Sequence, residues 1–113
     1  MDCLFCKIVA GDIPADIVFE NENVIAFRDI GPQAPQHVLI IPRTHISTIN
    51  DFNASHSETL AAMMLAAGEV AKILEIDQSG YRLTMNCNED GGQTVYHVHM
   101  HMLGGRQMSW PPG

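Results

Sequence analysis

Three histidines alternate near the C-terminus of the chain, in the stretch "YHVHMHMLGGR". His97, His99 and His101 are half of the six histidines in the 113 residues. Histidine is the commonest metal ligand and also a common acid, base or nucleophile near neutral pH. The alternation therefore indicates either a metal site or histidine-based catalysis.

The spacing limits the metal interpretation. Side chains two apart on a β-strand share a face and are separated by roughly 6.5–7 Å, so the outer two histidines would be roughly 13 Å apart. Zinc holds nitrogen at about 2.0–2.1 Å, so one ion cannot bind all three on a straight strand. Incidental surface histidines are a simpler explanation, but three in strict alternation argue against it. The pattern favours a nucleophilic imidazole whose neighbours position protons and bind an anion.

The residues just before the triad support an anion site. In "EDGGQT", Gly91 and Gly92 would let backbone amides approach a ligand closely, and Gln93 and Thr94 would add side-chain donors. A glycine pair alone more often marks an ordinary turn. Its position beside the triad is what makes it informative.

Composition and charge restrict the class of protein. The length suits one domain, and we expect a single domain over residues 1–113. A net charge of −7 argues against nucleic-acid binding, and no apolar stretch reaches the roughly 20 residues that span a bilayer. The first residues lack the pattern of a signal peptide. We therefore expect a cytoplasmic protein with no nucleic-acid or membrane partner.

Hydrophobic patterning predicts the elements that would position the triad. We expect a short helix at "CLFCKIVAG", a hairpin from "DIVFE" and "VIAFRDI", a buried strand at "HVLIIP", a long helix over residues 55–76, and strands at "YRLTMN" and "VYHVHMHML". This order predicts an α+β fold with an antiparallel sheet of about five strands. On the last strand, Val98, Met100 and Met102 would pack on the long helix, and the histidines would face the other way.

The motifs together resemble a known family. "HVHMHML" after "GGQTVY" resembles the signature of the histidine triad (HIT) superfamily, and "FRDIGPQAPQHVLIIPRTHI" and "GGRQMSWPPG" are similar to its Hint branch. The resemblance covers essentially the whole chain. It implies a HIT-like fold, a homodimer whose sheet continues across the interface, and purine nucleoside phosphoramidase activity. Such an enzyme cleaves the P–N bond of adenosine 5′-phosphoramidate-type or aminoacyl-adenylate-like substrates.

The resemblance also implies catalytic roles. His99 would be the nucleophile and would form a nucleotidyl-histidine that water hydrolyses to release AMP. His101 would contact the phosphate, and His97 would support the ring of His99. His37 matches a fourth active-site histidine of the branch. Thr94 occupies a position that is usually Ser, and its hydroxyl would protonate the leaving group.

A site for AMP or GMP follows from the same resemblance. Asp29 matches the carboxylate that binds the ribose hydroxyls. The positions around the base are Phe5, Ile8, Phe27, Arg28 and Ile30, and those on the phosphate side are Asn86, Gly92, Gln93, Thr94 and Val95, with His99 and His101. In the tail, about residues 104–113, Trp110 would reach the active site of the partner subunit. Arg28 replaces a histidine of some relatives, so base preference can differ.

The motif "CLFC" supplies half of a four-ligand zinc site. The resemblance implies the other half, so that the predicted structural zinc ligands are Cys3, Cys6, His45 and His97. A redox-active pair is disfavoured because no βαβ unit surrounds the motif. Some relatives keep the triad without the cysteines, so a catalytic zinc does not follow.

Alternatives to the phosphoramidase remain at this level. A nucleotide-binding regulatory adaptor with incidental turnover would use the same pocket. A HIT dinucleotide hydrolase or nucleotide transferase is disfavoured by the short chain and by the ending "GGRQMSWPPG". A zinc-dependent hydrolase would lose turnover when the metal is chelated.

Overall fold

The protein, described here over residues 2–113 by a computed structural model, has the predicted α+β fold. The helices are α1 (Leu4–Ala10), α2 (Ser57–Ile73) and α3 (Asn88–Gly91). The strands are β1 (Ile17–Glu20), β2 (Val24–Arg28), β3 (Gln36–Pro42), β4 (Tyr81–Thr84) and β5 (Met100–Gly104). Two 3-10 turns, Ile49–Asp51 and Ala54–His56, precede α2. No helix within residues 2–113 combines the length and apolar character needed to cross a membrane.

The five strands form one antiparallel sheet in the order β1-β2-β3-β5-β4. The central strand β3 pairs with β2 on one side and with β5 on the other, so that Val38 faces Arg28 and Met102. Every residue of β3 after Gln36 is buried. This confirms the prediction that "HVLIIP" is covered on both faces.

The helix α2 covers one face of the sheet. Its buried residues recur at helical spacing and are Met63, Ala66, Ala67, Val70 and Ala71. They form one apolar cluster with β3 and β5, including Ile40, Met100 and Met102. The predicted packing of Met100 and Met102 on the long helix is therefore confirmed. Fully burying one such side chain contributes about 1.5–3 kcal/mol.

The opposite face of the sheet carries α1. Phe5 and Ile8 of this helix pack with Phe27 and Leu39 in a second apolar cluster. The side chain of Cys3 caps the start of α1, and Gly11 ends the helix with a φ of 81°. Left-handed backbone of this kind favours glycine, which explains why the short helix stops there.

The last strand is shorter than predicted. It begins at Met100, so His97 and His99 lie in irregular chain before it and do not form a flat row with His101. The register Ile40–Met100 would place Val98 opposite Pro42, which has no N–H to donate. The Pro42 carbonyl instead accepts from the His97 side chain, and the Val98 amide donates to the Ile46 carbonyl at 2.7 Å.

The loop before the triad also differs from the sequence expectation. Residues 88–91 form the short helix α3, for which the sequence analysis had predicted no helix. Gly92 ends this helix with a φ of 81°, a left-handed backbone conformation that favours glycine.

Candidate active site

A cavity of about 640 Å³ lies on the α1 side of the sheet. Ligand sites for small organic molecules are usually roughly 300–1,000 Å³ and mainly apolar, with a few polar groups. His99 and His101 lie in its wall together with Asp29, which directly follows β2. The cavity therefore joins the triad to the end of a different strand.

The orientation of His99 is set by a backbone carbonyl. Its Nδ1 lies 2.8 Å from the His97 carbonyl oxygen, and the ring packs edge-on to Phe5 with centroids 5.2 Å apart. A carbonyl oxygen only accepts, so Nδ1 carries the proton and donates. In the neutral ring the lone pair is then on Nε2. A cavity-lining imidazole with a free lone pair is equipped for nucleophilic attack.

The side chain of His97 lies outside the cavity and is fully buried. Its Nε2–H donates to the Pro42 carbonyl at 2.8 Å, which leaves the lone pair of the neutral ring on Nδ1. Burial, with smaller contributions from His45 and His99, lowers the pKa of His97, although the Pro42 carbonyl opposes this. His97 is therefore a neutral imidazole whose free nitrogen lies beside Cys3, Cys6 and His45.

His37 and His101 form a hydrogen-bonded pair. The backbone N–H of Gln33 donates to His37 Nδ1 at 3.1 Å, so the proton of the neutral His37 ring is on Nε2. This Nε2 lies 2.9 Å from His101 Nδ1 and 3.5 Å from Asp29 Oδ2. His37 Nε2–H donates to His101 Nδ1, so the proton of the neutral His101 ring is on its Nε2. His101 thus lines the cavity with an N–H donor suited to an anionic oxygen.

The environment of His101 keeps it uncharged. Burial, together with the neighbouring His99 and His37, lowers the pKa of His101 to about 4, although Asp29 opposes the shift. At neutral pH the ring therefore donates one hydrogen bond and carries no charge.

A second cluster lies behind the triad, where α1 meets the chain after β3. The Nδ1 atoms of His45 and His97 are 3.3 Å apart, and Cys6 Sγ lies 3.3 Å and 3.6 Å from them. Cys3 Sγ lies 3.4 Å from His97 Nδ1. A tetrahedral site with bonds of about 2.0–2.1 Å to nitrogen and about 2.3 Å to sulfur separates two nitrogens by about 3.3 Å and nitrogen from sulfur by about 3.6 Å. The four groups thus have the spacing of metal ligands.

The chemistry of these four groups also fits a cation. His45 Nε2 has Ser47 Oγ as a partner at 3.2 Å, which leaves Nδ1 for the cluster. The Cys6 N–H donates to Cys3 Sγ at 3.3 Å at the start of α1, which holds this sulfur beside the other three groups. Burial and the adjacent Cys3 raise the pKa of the Cys6 thiol, and a bound cation would reverse that effect.

The cavity brings together most of the residues predicted around a nucleotide. Its wall includes Phe5, Ile8, Phe27, Arg28, Asp29, Ile30, Asn86, Gly92, Thr94, Val95, His99 and His101. Sequence reasoning did not identify the other lining residues, which are Leu4, Ile13, Pro14, Ala15, Asp16 and Leu39.

Two predicted nucleotide-binding residues do not line this cavity. Gln93 is buried, and its amide holds the backbone of Ser47, Asn88 and Val95 through hydrogen bonds of 2.8–3.2 Å. All of its polar atoms are used in the loop, so it is not available as a phosphate donor. Trp110 is 81% exposed in the single chain and lies away from the cavity.

Comparison with known proteins agrees with this geometry. A sequence model of the HIT domain matches residues 10–108. The chain belongs to the HIT family. The HIT family hydrolase from Legionella pneumophila Philadelphia 1 has a crystal structure that superposes with a TM-score of 0.97 at 58% identity, covering 99% of this chain and 100% of that one. The resemblance inferred from the triad and the predicted HIT fold are both confirmed.

Two further HIT relatives carry informative names. The purine nucleoside phosphoramidase of Escherichia coli is 50% identical over 107 residues, which cover 95% of this chain and 90% of that protein. The 14 kDa zinc-binding protein of Zea mays is 46% identical over 112 residues, which cover 97% of this chain and 87% of that protein.

The lowered pKa of His101 predicts a pH dependence of stability. Between pH 6.5 and about 4 the unfolded chain binds a proton at this residue and the folded chain does not, so acid favours unfolding. This contribution to stability is fully present above pH 6.5 and is lost as the pH falls toward 4. The groups facing the ring are His99, His37 and Asp29.

We expect denaturant unfolding to show a larger loss of stability between pH 7 and pH 5 in the wild type than in His101→Gln. The His101 ring signals in an NMR titration should move only near pH 4. Equal losses of stability in the two proteins would contradict the lowered pKa of His101. A midpoint near pH 6.5 in its NMR titration would contradict it as well.

Proposed function

We propose that the chain is a purine nucleoside phosphoramidase that hydrolyses P–N bonds through a nucleotidyl-histidine. The observation that carries the proposal is the hydrogen bond from His99 Nδ1–H to the His97 carbonyl, which leaves a lone pair on Nε2 of a cavity-lining ring. The named activity of the Escherichia coli relative at 50% identity supports the same reaction.

In the first step, His99 Nε2 attacks the α-phosphorus and an N–P bond forms. The P–N bond to the leaving group breaks, and its electron pair goes to the leaving nitrogen, which takes a solvent proton that the Thr94 hydroxyl relays. The imidazole becomes positively charged, and the His97 carbonyl that accepts from Nδ1–H stabilises this charge. His101 Nε2–H donates to a phosphate oxygen and remains a neutral donor throughout.

In the second step, water attacks the phosphorus and the bond to His99 breaks. The water loses both of its protons to solvent, one of which replaces the proton taken up in the first step. The products are the amine and a nucleoside monophosphate. Splitting one displacement into two steps is the general benefit of covalent catalysis.

The nucleoside would occupy the apolar part of the cavity. Phe5, Ile8 and Phe27 offer buried surface against which a purine can pack. Asp29 would accept from the ribose hydroxyls, since a carboxylate has two acceptor oxygens. One of these, Oδ1, is already held by the Gly31 amide at 2.7 Å, so the carboxylate is fixed before the substrate arrives.

Replacing His99 with Ala should reduce hydrolysis of adenosine 5′-phosphoramidate by at least about 1,000-fold, because no other group can form the intermediate. AMP binding should survive within about tenfold. Acid-quenched wild-type samples should contain a nucleotidylated chain by mass spectrometry, and the variant should not. His56→Ala, a histidine in the turn before α2, is the matched control and should keep wild-type turnover.

Retained turnover in His99→Ala would refute the mechanism. AMP binding without turnover in the wild type would support the adaptor function in place of the enzyme.

We also propose that Cys3, Cys6, His45 and His97 bind zinc. Their spacing and lone pairs support a tetrahedral ion, and the zinc-binding relative from Zea mays has a name consistent with this. Four protein ligands leave no open position, so the ion would be structural. The chain's own contribution is to hold His97, whose carbonyl orients His99. Free thiols fit a reducing compartment, which supports the predicted cytoplasmic location.

Replacing Cys6 with Ser should lower bound zinc from about one ion per chain to less than about 0.2, measured by elemental analysis after desalting. The melting temperature should fall by several degrees. The kcat should fall more than the KM rises, because the His97 carbonyl that accepts from His99 Nδ1–H becomes less firmly held. Cys87→Ser, a half-buried cysteine outside the cluster, is the control. Full zinc in Cys6→Ser would exclude this ligand set.

We propose in addition that the single domain over residues 1–113 forms a homodimer, with the tail completing the partner's active site. The edge strand β4 offers unpaired backbone groups to a second sheet. Exposed Met64 and Leu65 on α2 and exposed Trp110 in the tail are apolar surface that a second copy could cover.

Light scattering after gel filtration should give twice the mass of one chain at micromolar concentration. Trp110 is the only tryptophan, so its fluorescence reports the tail directly. Its emission should shift to longer wavelength on dilution, when separation of the subunits exposes the indole. A monomer mass at all concentrations would contradict the dimer.

A further inference from the structure

The cavity contains a charged pair that the mechanism above does not use. Asp16 and Arg28 both line it. The Arg28 amide donates to the Asp16 carbonyl at 2.9 Å across the β1–β2 hairpin, and Arg28 Nε lies 3.5 Å from Asp16 Oδ2. The Arg28 guanidinium also donates to Gln36 Oε1 at 2.9 Å. These contacts place the guanidinium and the carboxylate side by side.

The pair lies toward the outer edge of the sheet, away from the triad. Asp16 directly precedes β1, whereas His101 lies on β5, three strand positions further along the sheet. Strands are about 4.8 Å apart, so these positions are separated by about 14 Å. A nucleotide with its phosphate at His101 and its ribose at Asp29 would extend its base toward Arg28 and Asp16.

The apolar surface between these two ends cannot distinguish one purine from another. Phe5, Ile8, Phe27 and Leu39 can only pack against the base, and all purines have similar faces. Selection between purines therefore requires the polar groups at the outer end. Within residues 2–113, neither Asp16 Oδ1 nor Arg28 Nη2 has a hydrogen-bond partner, so an acceptor and a donor remain available there.

We propose that Asp16 and Arg28 make the site selective for guanine over adenine. Guanine presents adjacent donors, N1–H and the 2-amino group, beside the acceptors O6 and N7. A carboxylate beside a guanidinium is the complement of that edge. Adenine has an unprotonated N1, which would face the carboxylate with two lone pairs opposed. This inference rests on the proposed function, because it assumes that the ligand is a purine nucleotide.

The selectivity should be moderate. The side chains of Arg28 and Asp16 are 40% and 72% exposed, so water competes for both. We expect a preference for guanosine of about tenfold, near the lower limit for a bidentate contact between a side chain and a base. Inosine keeps N1–H and O6 but lacks the 2-amino group. The kcat/KM of its phosphoramidate should therefore lie between those of the guanosine and adenosine substrates.

The test compares the kcat/KM for guanosine, inosine and adenosine 5′-phosphoramidates in the full-length protein. Asp16→Asn should reduce the guanosine-to-adenosine ratio of kcat/KM to about two or less, mainly by lowering the kcat/KM of the guanosine substrate. Asp12→Asn removes the same charge four residues earlier, from an exposed residue that does not line the cavity. It should leave the ratio unchanged.

The outcomes separate this inference from the proposed function. Turnover of all three substrates with equal kcat/KM would overturn the guanine selectivity and leave the phosphoramidase intact, as would a preference that Asp16→Asn does not alter. Absence of turnover for all three would refute the phosphoramidase. In that case calorimetry with GMP, IMP and AMP tests the guanine selectivity by binding. The inference requires GMP to bind about tenfold more tightly than AMP.

Discussion

The hydrogen bond from His99 Nδ1–H to the His97 carbonyl is the interaction on which the site depends. It determines which nitrogen of His99 has the lone pair, and it places a carbonyl dipole where positive charge would develop. The acceptor is itself held, because the His97 ring is fixed between the Pro42 carbonyl and the Cys/His cluster. One residue therefore connects the Cys/His cluster to the His99 ring without lying in the cavity.

The central strand β3 sets the distance between the two hydrogen-bonded systems. His37 is near its start and supports His101, whereas Pro42 is at its end and supports His97. The residues between them are covered by α2 on one face and by α1 on the other. A shift of β3 would disrupt the apolar clusters on both of its faces. Packing in the core therefore also maintains the geometry of the site. This explains why a short chain can hold several imidazoles in fixed orientations.

Much of the fold and part of the site could be predicted from sequence, for identifiable physical reasons. Hydrophobic periodicity is a local property, and it predicted β3 and α2 correctly. The start of β5 could not be found in this way, because it depends on Pro42, which is distant in sequence. Gln93 was misassigned since its partners include Ser47, 46 residues earlier. Asp16 was missed because only the β1–β2 register brings it beside Arg28.

Within residues 2–113, two groups of side chains have the composition and proximity of metal sites, and backbone hydrogen bonds distinguish them. Asp29, His37 and His101 lie close together, as do the four members of the Cys/His cluster. At His37 the Gln33 N–H donates to Nδ1, so the ring proton is on Nε2, the nitrogen that faces the group. At His97 the Pro42 carbonyl takes the Nε2 proton, so a lone pair faces the cysteines. The first group can therefore pass on a hydrogen bond but cannot bind a cation through His37 without a change of tautomer. A backbone amide in one case and a backbone carbonyl in the other thus leave the first group with an N–H donor and the second with a lone pair, and only the second has what the proposed zinc site requires.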